Sequence, residues 1–372
     1  MTMTVIRGGC FLLVLMATLR ASAQPTQPAD APPETAADRS SRLLLEALED
    51  REMPDVSLEV IDRIEADPRA SAELKREALF RRAGALIGVS RTEADRAERN
   101  TMLDQAQAAL EKFLSEGKPS GRQAIAAYTQ KGNLLVERGR AKAEQASRPG
   151  ADAAKLRAEA ASYFDEAVKA LDGNAKPNEK ITEVTNAEDA VLVVLRQVDA
   201  EIAELKRPVA DAGKPGKRPR KKDLERKEAS KQDEEKEEKK EEKKEEKPKP
   251  PAEPRKLTFQ ERRRLETLEA EQEALRAKLI QTRLTAAAAV FEKAKAYPET
   301  SKEWTEALEA STKRFKEIAE KYPTKGGGLF ALYYEGRNYA LQGKWEVALN
   351  TLAPLTVIDQ RIPLAILLRS RA

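Results

Sequence analysis

Between Leu329 and Leu355 the sequence LFALYYEGRNYALQGKWEVALNTLAPL reads as two short amphipathic helices separated by a tight turn, and this unit constrains everything around it. Gly336 and Ala348 are small enough for two helix backbones to approach closely. Tyr339, Trp345 and Leu352 are placed to fill the space between them. A hairpin of this size cannot bury its apolar face alone, so it requires stacked neighbours of the same kind. Elsewhere apolar residues recur at three- and four-residue spacing, and strand-type alternation is hard to find.

Composition agrees with that requirement. Aromatic residues make up only 5% and charged residues 35%, a balance that suits Ala- and Leu-rich helices with solvated outer faces. There is no histidine, which removes the commonest general base and metal ligand along with the Ser-His and Cys-His nucleophile arrangements. The single cysteine, Cys10, lies in the leader described below, so the mature chain has no thiol for disulfides or zinc. No catalytic, cofactor-binding or metal-ligating residue is assigned, and no cofactor is expected. The formal charge of +4 includes Arg7 and Arg20, so removing the leader leaves 4 − 2 = +2. That gives no electrostatic case for nucleic acid.

In chain order, residues 1–23 carry Arg7, the apolar run CFLLVLMATL and a small-residue Ala21-Ser22-Ala23 close, the pattern of a secretory signal peptide cut before Gln24. An uncleaved anchor is the alternative. Residues 24–40 form a Pro- and Ala-rich tether without periodicity. From 41 to 206 a helical module is expected. Leu44, Leu45 and Leu48, then Val56, Val60, Ile61 and Ile64, are divided by Pro54 and closed by Pro68. Ala83 and Leu86 face Leu103, Ala106, Leu110 and Phe113. A further copy pairs Gly132 and Leu135 with Phe164, Ala167 and Leu171, its helices extended and turning at Pro149-Gly150. Gly132 and Gly139 have the spacing of Gly336 and Gly343. A long helix then runs from Asn178 to Lys206, packed on that hairpin.

Residues 207–256 are a charged linker. Its Glu/Lys run places like charges four apart, as in Lys236/Lys240 and Glu237/Glu241, which destabilises a helix by about 0.2–0.5 kcal/mol per pair, so an extended, solvated spacer is expected. The basic stretch KPGKRPRKK has no interleaved aromatic to stack on bases. Residues 257–297 resume as a long helix whose Leu265, Leu268, Gln272, Leu275, Leu279 and Thr282 follow a coiled-coil-like seam. Residues 298–372 hold a helix from Trp304 to Pro323, the Leu329–Leu355 hairpin, and the start of another helix after Thr356.

The Gly336-x2-Tyr339 and Ala348-x3-Leu352 spacings resemble the tetratricopeptide repeat, with Leu332 where that family has Trp and Glu335 where it has Leu. The resemblance is best over 302–355 and partial over 72–171. It implies an all-α fold of TPR-like helical hairpin repeats, an α-solenoid, in two modules joined by the disordered charged linker. It implies further that first-helix positions line a binding groove: Thr129 and Asn133 on one copy, Tyr333, Arg337 and Leu341 on the other. Gly132, Phe164, Ala167, Gly336, Tyr339, Trp345, Ala348 and Leu352 become the packing positions. The function that follows is a non-enzymatic protein–protein interaction scaffold of the bacterial cell envelope, exported to the periplasm or beyond. Its partners are other envelope proteins or peptides, and it touches membrane only through an uncleaved leader or weakly through the basic linker. A carboxylate-dependent enzyme acting on envelope glycans and a coiled-coil spacer remain the alternatives, and the oligomeric state is open.

Overall fold

A computed structural model describes residues 35–116, 119–173, 181, 184–207 and 257–356. The leader, most of the tether, nearly all of the charged linker and the segment after Thr356 lie outside the described residues. Within them the chain is all-helical: α1 (Ala36–Asp50), α2 (Pro54–Ala66), α3 (Ala72–Ser90), α4 (Arg96–Ser115), α5 (Gly121–Ala146), α6 (Ala153–Leu171), α7 (Ala187–Lys206), α8 (Phe259–Lys295), α9 (Lys302–Lys321), α10 (Gly326–Leu341) and α11 (Trp345–Thr356). No helix of the described residues is long and apolar enough to cross a membrane.

The boundaries have local causes. Thr35, Ser71, Asp95, Asp152 and Ser301 each accept a hydrogen bond from a first-turn backbone N–H, satisfying a donor the helix itself leaves unpaired. Pro54 opens α2, where its missing N–H costs nothing. Gly150, at a φ of 80°, turns the chain between α5 and α6, and Gly343, at 74°, does so between α10 and α11. Two expected boundaries shift. The tether ends at Thr35 rather than Ser40, because Thr35 caps a helix that already includes Ala36. The helix expected from Asn178 starts at Ala187, where Asn186 Oδ1 accepts from the Asp189 N–H at 2.9 Å.

The described residues fall into two compact units, one of residues up to Arg196 together with those from Gln272 onward, the other of Gln197–Glu271. In the larger unit a series of apolar clusters passes from helix to helix. Leu45, Ile61, Ile64, Leu74 and Ala78 join α1, α2 and α3. Ala83, Leu86, Leu103, Ala106, Leu110 and Phe113 join α3 and α4 to Ala127 and Leu134 of α5. Leu135, Phe164 and Ala167 then join α5 and α6 to Ala289 of α8 and to Ala296 just past its end. Ile280, Leu284, Phe291, Phe315 and Ala331 carry the core on through α8, α9 and α10, and Leu329 with Leu355 links α10 to α11. Each hairpin thus buries its apolar stripe against neighbouring helices.

This division differs from two modules set on either side of a linker. Residues before and after 207–256 share one unit, with α8 packed directly on α5 and α6. Small residues let the backbones approach here, with Ala289 and Ala296 packed against Leu135, Phe164 and Ala167 and Ala286 against Leu171, and polar contacts reinforce the approach. Arg140 bridges Glu137 at 3.1 Å and Glu292 at 3.2 Å, and Lys293 reaches Asp165 at 2.7 Å. In the smaller unit Arg264 pairs with Glu201 at 3.0 Å and Lys206 with Glu269 at 2.8 Å. The seam of α8 is buried at Leu268, Leu275, Leu279 and Thr282 and half-buried at Leu265 and Gln272.

Two glycines show how alike the hairpins are. A Cβ on Gly132 would lie 2.5 Å from the Leu171 side chain, and a Cβ on Gly336 would lie 2.5 Å from Leu352. The same small-to-large contact recurs at the positions that the spacing aligns. Gly139 and Gly343 do not correspond, however: Gly139 sits inside α5 against the Phe164 ring, whereas Gly343 is a turn residue. Trp345 also departs from its expected role. Phe164, its counterpart, is 1% exposed, but Trp345 is 66% exposed, because α10 stops at Leu341 while α5 runs on past Gly139 to cover Phe164. Ala167 and Ala348 are buried as expected, Tyr339 and Leu352 half-buried, and Leu44 and Val56 are exposed.

Candidate functional site

The groove positions suggested by the repeat resemblance do not come together. Thr129 is 8% exposed and its hydroxyl donates to the Ile125 carbonyl of its own helix at 2.7 Å, so it is a core residue. Asn133 is half-buried nearby on α5. On α10, Tyr333 packs edge-on against Tyr334 with ring centroids 5.4 Å apart. The Arg337 guanidinium lies 5.2 Å from the Phe291 ring and 5.8 Å from Tyr334, covering aromatic core rather than facing a groove. Only Leu341, at 45% exposure, is open to solvent.

Polar side chains concentrate in two other places. The first is a buried network where the end of α6 meets the start of α7, the middle of α8 and α9. Glu188, 3% exposed, accepts from Arg283 at 2.5 Å and from the Gly173 N–H at 3.4 Å. Arg314 pairs with Asp172, and Arg283 reaches the Tyr322 hydroxyl at 3.4 Å. Asp189, 6% exposed, accepts from Asn186 Nδ2 at 2.5 Å. Burial pushes the Glu188 carboxyl above its ordinary value, Arg283 opposes that shift, and the neighbouring Asp172 adds to it. Burial raises Asp189 as well. Gly173 is needed at this corner, since any Cβ would run into the Asp189 and Asn186 side chains. The network ties together segments on either side of the linker.

The second is a cleft of about 370 Å³ across α4, α5 and α6. Asp104, Gln107 and Glu111 recur on one face of α4, with Ala108 between them. Leu135 and Arg138 of α5 form the floor, and Tyr163 and Glu166 the α6 wall. Arg138 pairs with Asp104, lies 5.8 Å from the centroid of the Tyr163 ring and donates to the Tyr163 hydroxyl at 3.4 Å. Gln107 donates to Glu111 at 2.7 Å and Ser162 to Glu166 at 3.4 Å. The cleft therefore holds three carboxylates and one guanidinium, with Arg138 held against Asp104 at one end. Among the described residues no group of acidic side chains is arranged to hold a metal ion.

Sequence reasoning placed the core face of α4 correctly at Leu103, Ala106, Leu110 and Phe113 and left the adjacent face as solvated. The available signal was Arg138, a cation set beside the apolar run Leu134-Leu135-Val136, which implies a counter-charge on a neighbouring helix. No family model matches the chain, and no curated protein or solved structure matches it.

Proposed function

We propose that the protein is a non-enzymatic scaffold of TPR-like helical hairpins, exported to the cell envelope by its leader-like first 23 residues. Its cleft across α4, α5 and α6 takes up a Lys- or Arg-bearing segment of a partner polypeptide. One observation carries the reading: Glu111 and Glu166 face the same concavity from two helices, over an apolar and aromatic base, and among the described residues the side chains that hydrogen-bond to them there, Gln107 and Ser162, are neutral. An incoming ammonium or guanidinium would meet two carboxylates while its aliphatic stem lay on Leu135 and Ala108. Steering by such a surface acts mainly on encounter and selectivity.

A carboxylate-dependent hydrolase needs an acid whose proton is retained by an apolar setting. The carboxyls that burial raises here are Glu188, Asp189 and Glu335, at 3%, 6% and 6% exposure, and none of them lines the cleft. This favours binding over catalysis. The test is fluorescence anisotropy with a labelled oligolysine peptide, using oligoglutamate as control. Oligolysine is expected to bind and oligoglutamate not to. The Glu111→Gln/Glu166→Gln protein should lose about tenfold in affinity, ~1.4 kcal/mol, with a shallower salt dependence. Equal binding by the substituted and original proteins would remove the cleft from the proposal.

A further inference from the structure

The cleft across α4, α5 and α6 already contains a cation of the protein's own. The Arg138 guanidinium pairs with Asp104, donates to the Leu103 carbonyl and to the Tyr163 hydroxyl at 3.4 Å each, and lies 5.8 Å from the centroid of the Tyr163 ring. A carboxylate, neutral oxygen acceptors and an aromatic face are the partners that a guest cation would seek. Here a resident side chain has taken them.

Arg138 differs from the solvated half of a surface ion pair. Its side chain is 17% exposed and that of Asp104 is 70% exposed, so the arginine is the embedded partner. Among the described residues its Nε is buried without a hydrogen-bond partner, an uncompensated desolvation. Leu135, one turn earlier on α5, lines the same floor with an apolar side chain and carries no such cost. Arg138 is also the one cation among the residues lining the cleft, set against Asp104, Glu111 and Glu166, so two carboxylates are left in excess.

On the reading of the cleft as a site for a Lys- or Arg-bearing segment, we propose that Arg138 is its specificity-determining residue. By holding Asp104 and the Tyr163 face, Arg138 restricts the guest to a single cation, shared by Glu111 and Glu166. A second cation on the same segment meets an occupied carboxylate and a like charge.

Anisotropy titrations of the full-length protein with labelled oligolysine, and with a Gly/Ser peptide bearing one lysine, test this. Arg138→Gln frees Asp104, so oligolysine should bind about fivefold tighter, with a steeper salt dependence and a wider preference over the single-lysine peptide. Asp104→Asn leaves the Arg138 charge unopposed and should weaken oligolysine binding. Because the Asp104 side chain is largely exposed, this variant carries the test should Arg138→Gln fail to fold. In Asp104→Asn/Arg138→Gln the affinity should return close to the original, which a loss of packing at Arg138 would not produce. A folded Arg138→Gln protein that binds oligolysine no more tightly than the original would overturn the proposal, as would undiminished binding by Asp104→Asn. Oligolysine bound equally by the Glu111→Gln/Glu166→Gln protein is a different failure and removes the cleft reading itself. Binding that falls in that protein but does not respond to Arg138→Gln removes only the role of Arg138.

Discussion

Arg283→Met is expected to destabilise the protein by about 3–5 kcal/mol, because it leaves the Glu188 carboxylate buried without its cation. Urea denaturation followed by circular dichroism at several pH values would measure it. Replacing both partners, as in Glu188→Leu/Arg283→Met, should cost less than the sum of the single changes, since an apolar pair leaves no stranded charge. The pH dependence has a definite sign. The folded-state pKa of Glu188 lies above its unfolded value, so the folded protein binds the extra proton, and the contribution of this residue falls as pH rises from the unfolded value through the raised one. In Arg283→Met that shift grows, so the loss should be largest at neutral pH and shrink in acid. Glu188→Gln should abolish this part of the pH profile. An Arg283→Met protein as stable as the original at neutral pH would show that the network carries no weight.

Phe164→Ala is expected to cost about 3–5 kcal/mol, the range for truncating a buried aromatic. Phe164 is 1% exposed and stands at the junction of α5, α6 and α8, so its loss opens a cavity where three helices meet. The converse change at Gly139 tests the same contact. A Cβ there would lie 2.8 Å from the Phe164 ring, and overpacking of that kind costs about 1–3 kcal/mol. In the doubly substituted Gly139→Ala/Phe164→Ala protein the added methyl enters the space the ring vacated, so the two losses should not add. Thermal melts of the four proteins form the cycle, and strict additivity would mean that the Gly139–Phe164 approach is not a determinant of the packing.

Much of the local structure was legible because its causes are local. Pro54 and the Pro149-Gly150 turn are chain punctuation, and Leu103, Ala106, Leu110 and Phe113 announce a buried stripe by spacing alone. The match of Gly132 with Leu171 to Gly336 with Leu352 was legible for the same reason, since both members of each pair fall within one hairpin. The return of α8 onto α5 and α6 was not. Arg140 and Glu292 lie on opposite sides of the charged linker, and neither leaves any trace in its own neighbourhood of the partner it meets. The linker, conspicuous in composition, therefore looked like a divider between modules. The cleft escaped notice because Asp104, Glu111 and Glu166 are spaced like any solvated helix face, and only the juxtaposition of three helices makes the surface concave.

The packing of α8 on α5 and α6 separates two events that are usually treated as one. A protease that severed the chain somewhere between Arg207 and Leu257 would break the polypeptide without dissolving the core that spans the break, since Phe164, Ala167, Ala289 and Ala296 would still shelter one another. The nicked molecule should migrate as two bands under denaturing conditions and as one particle otherwise. Either fragment made alone would instead carry a raw apolar face that the other normally hides.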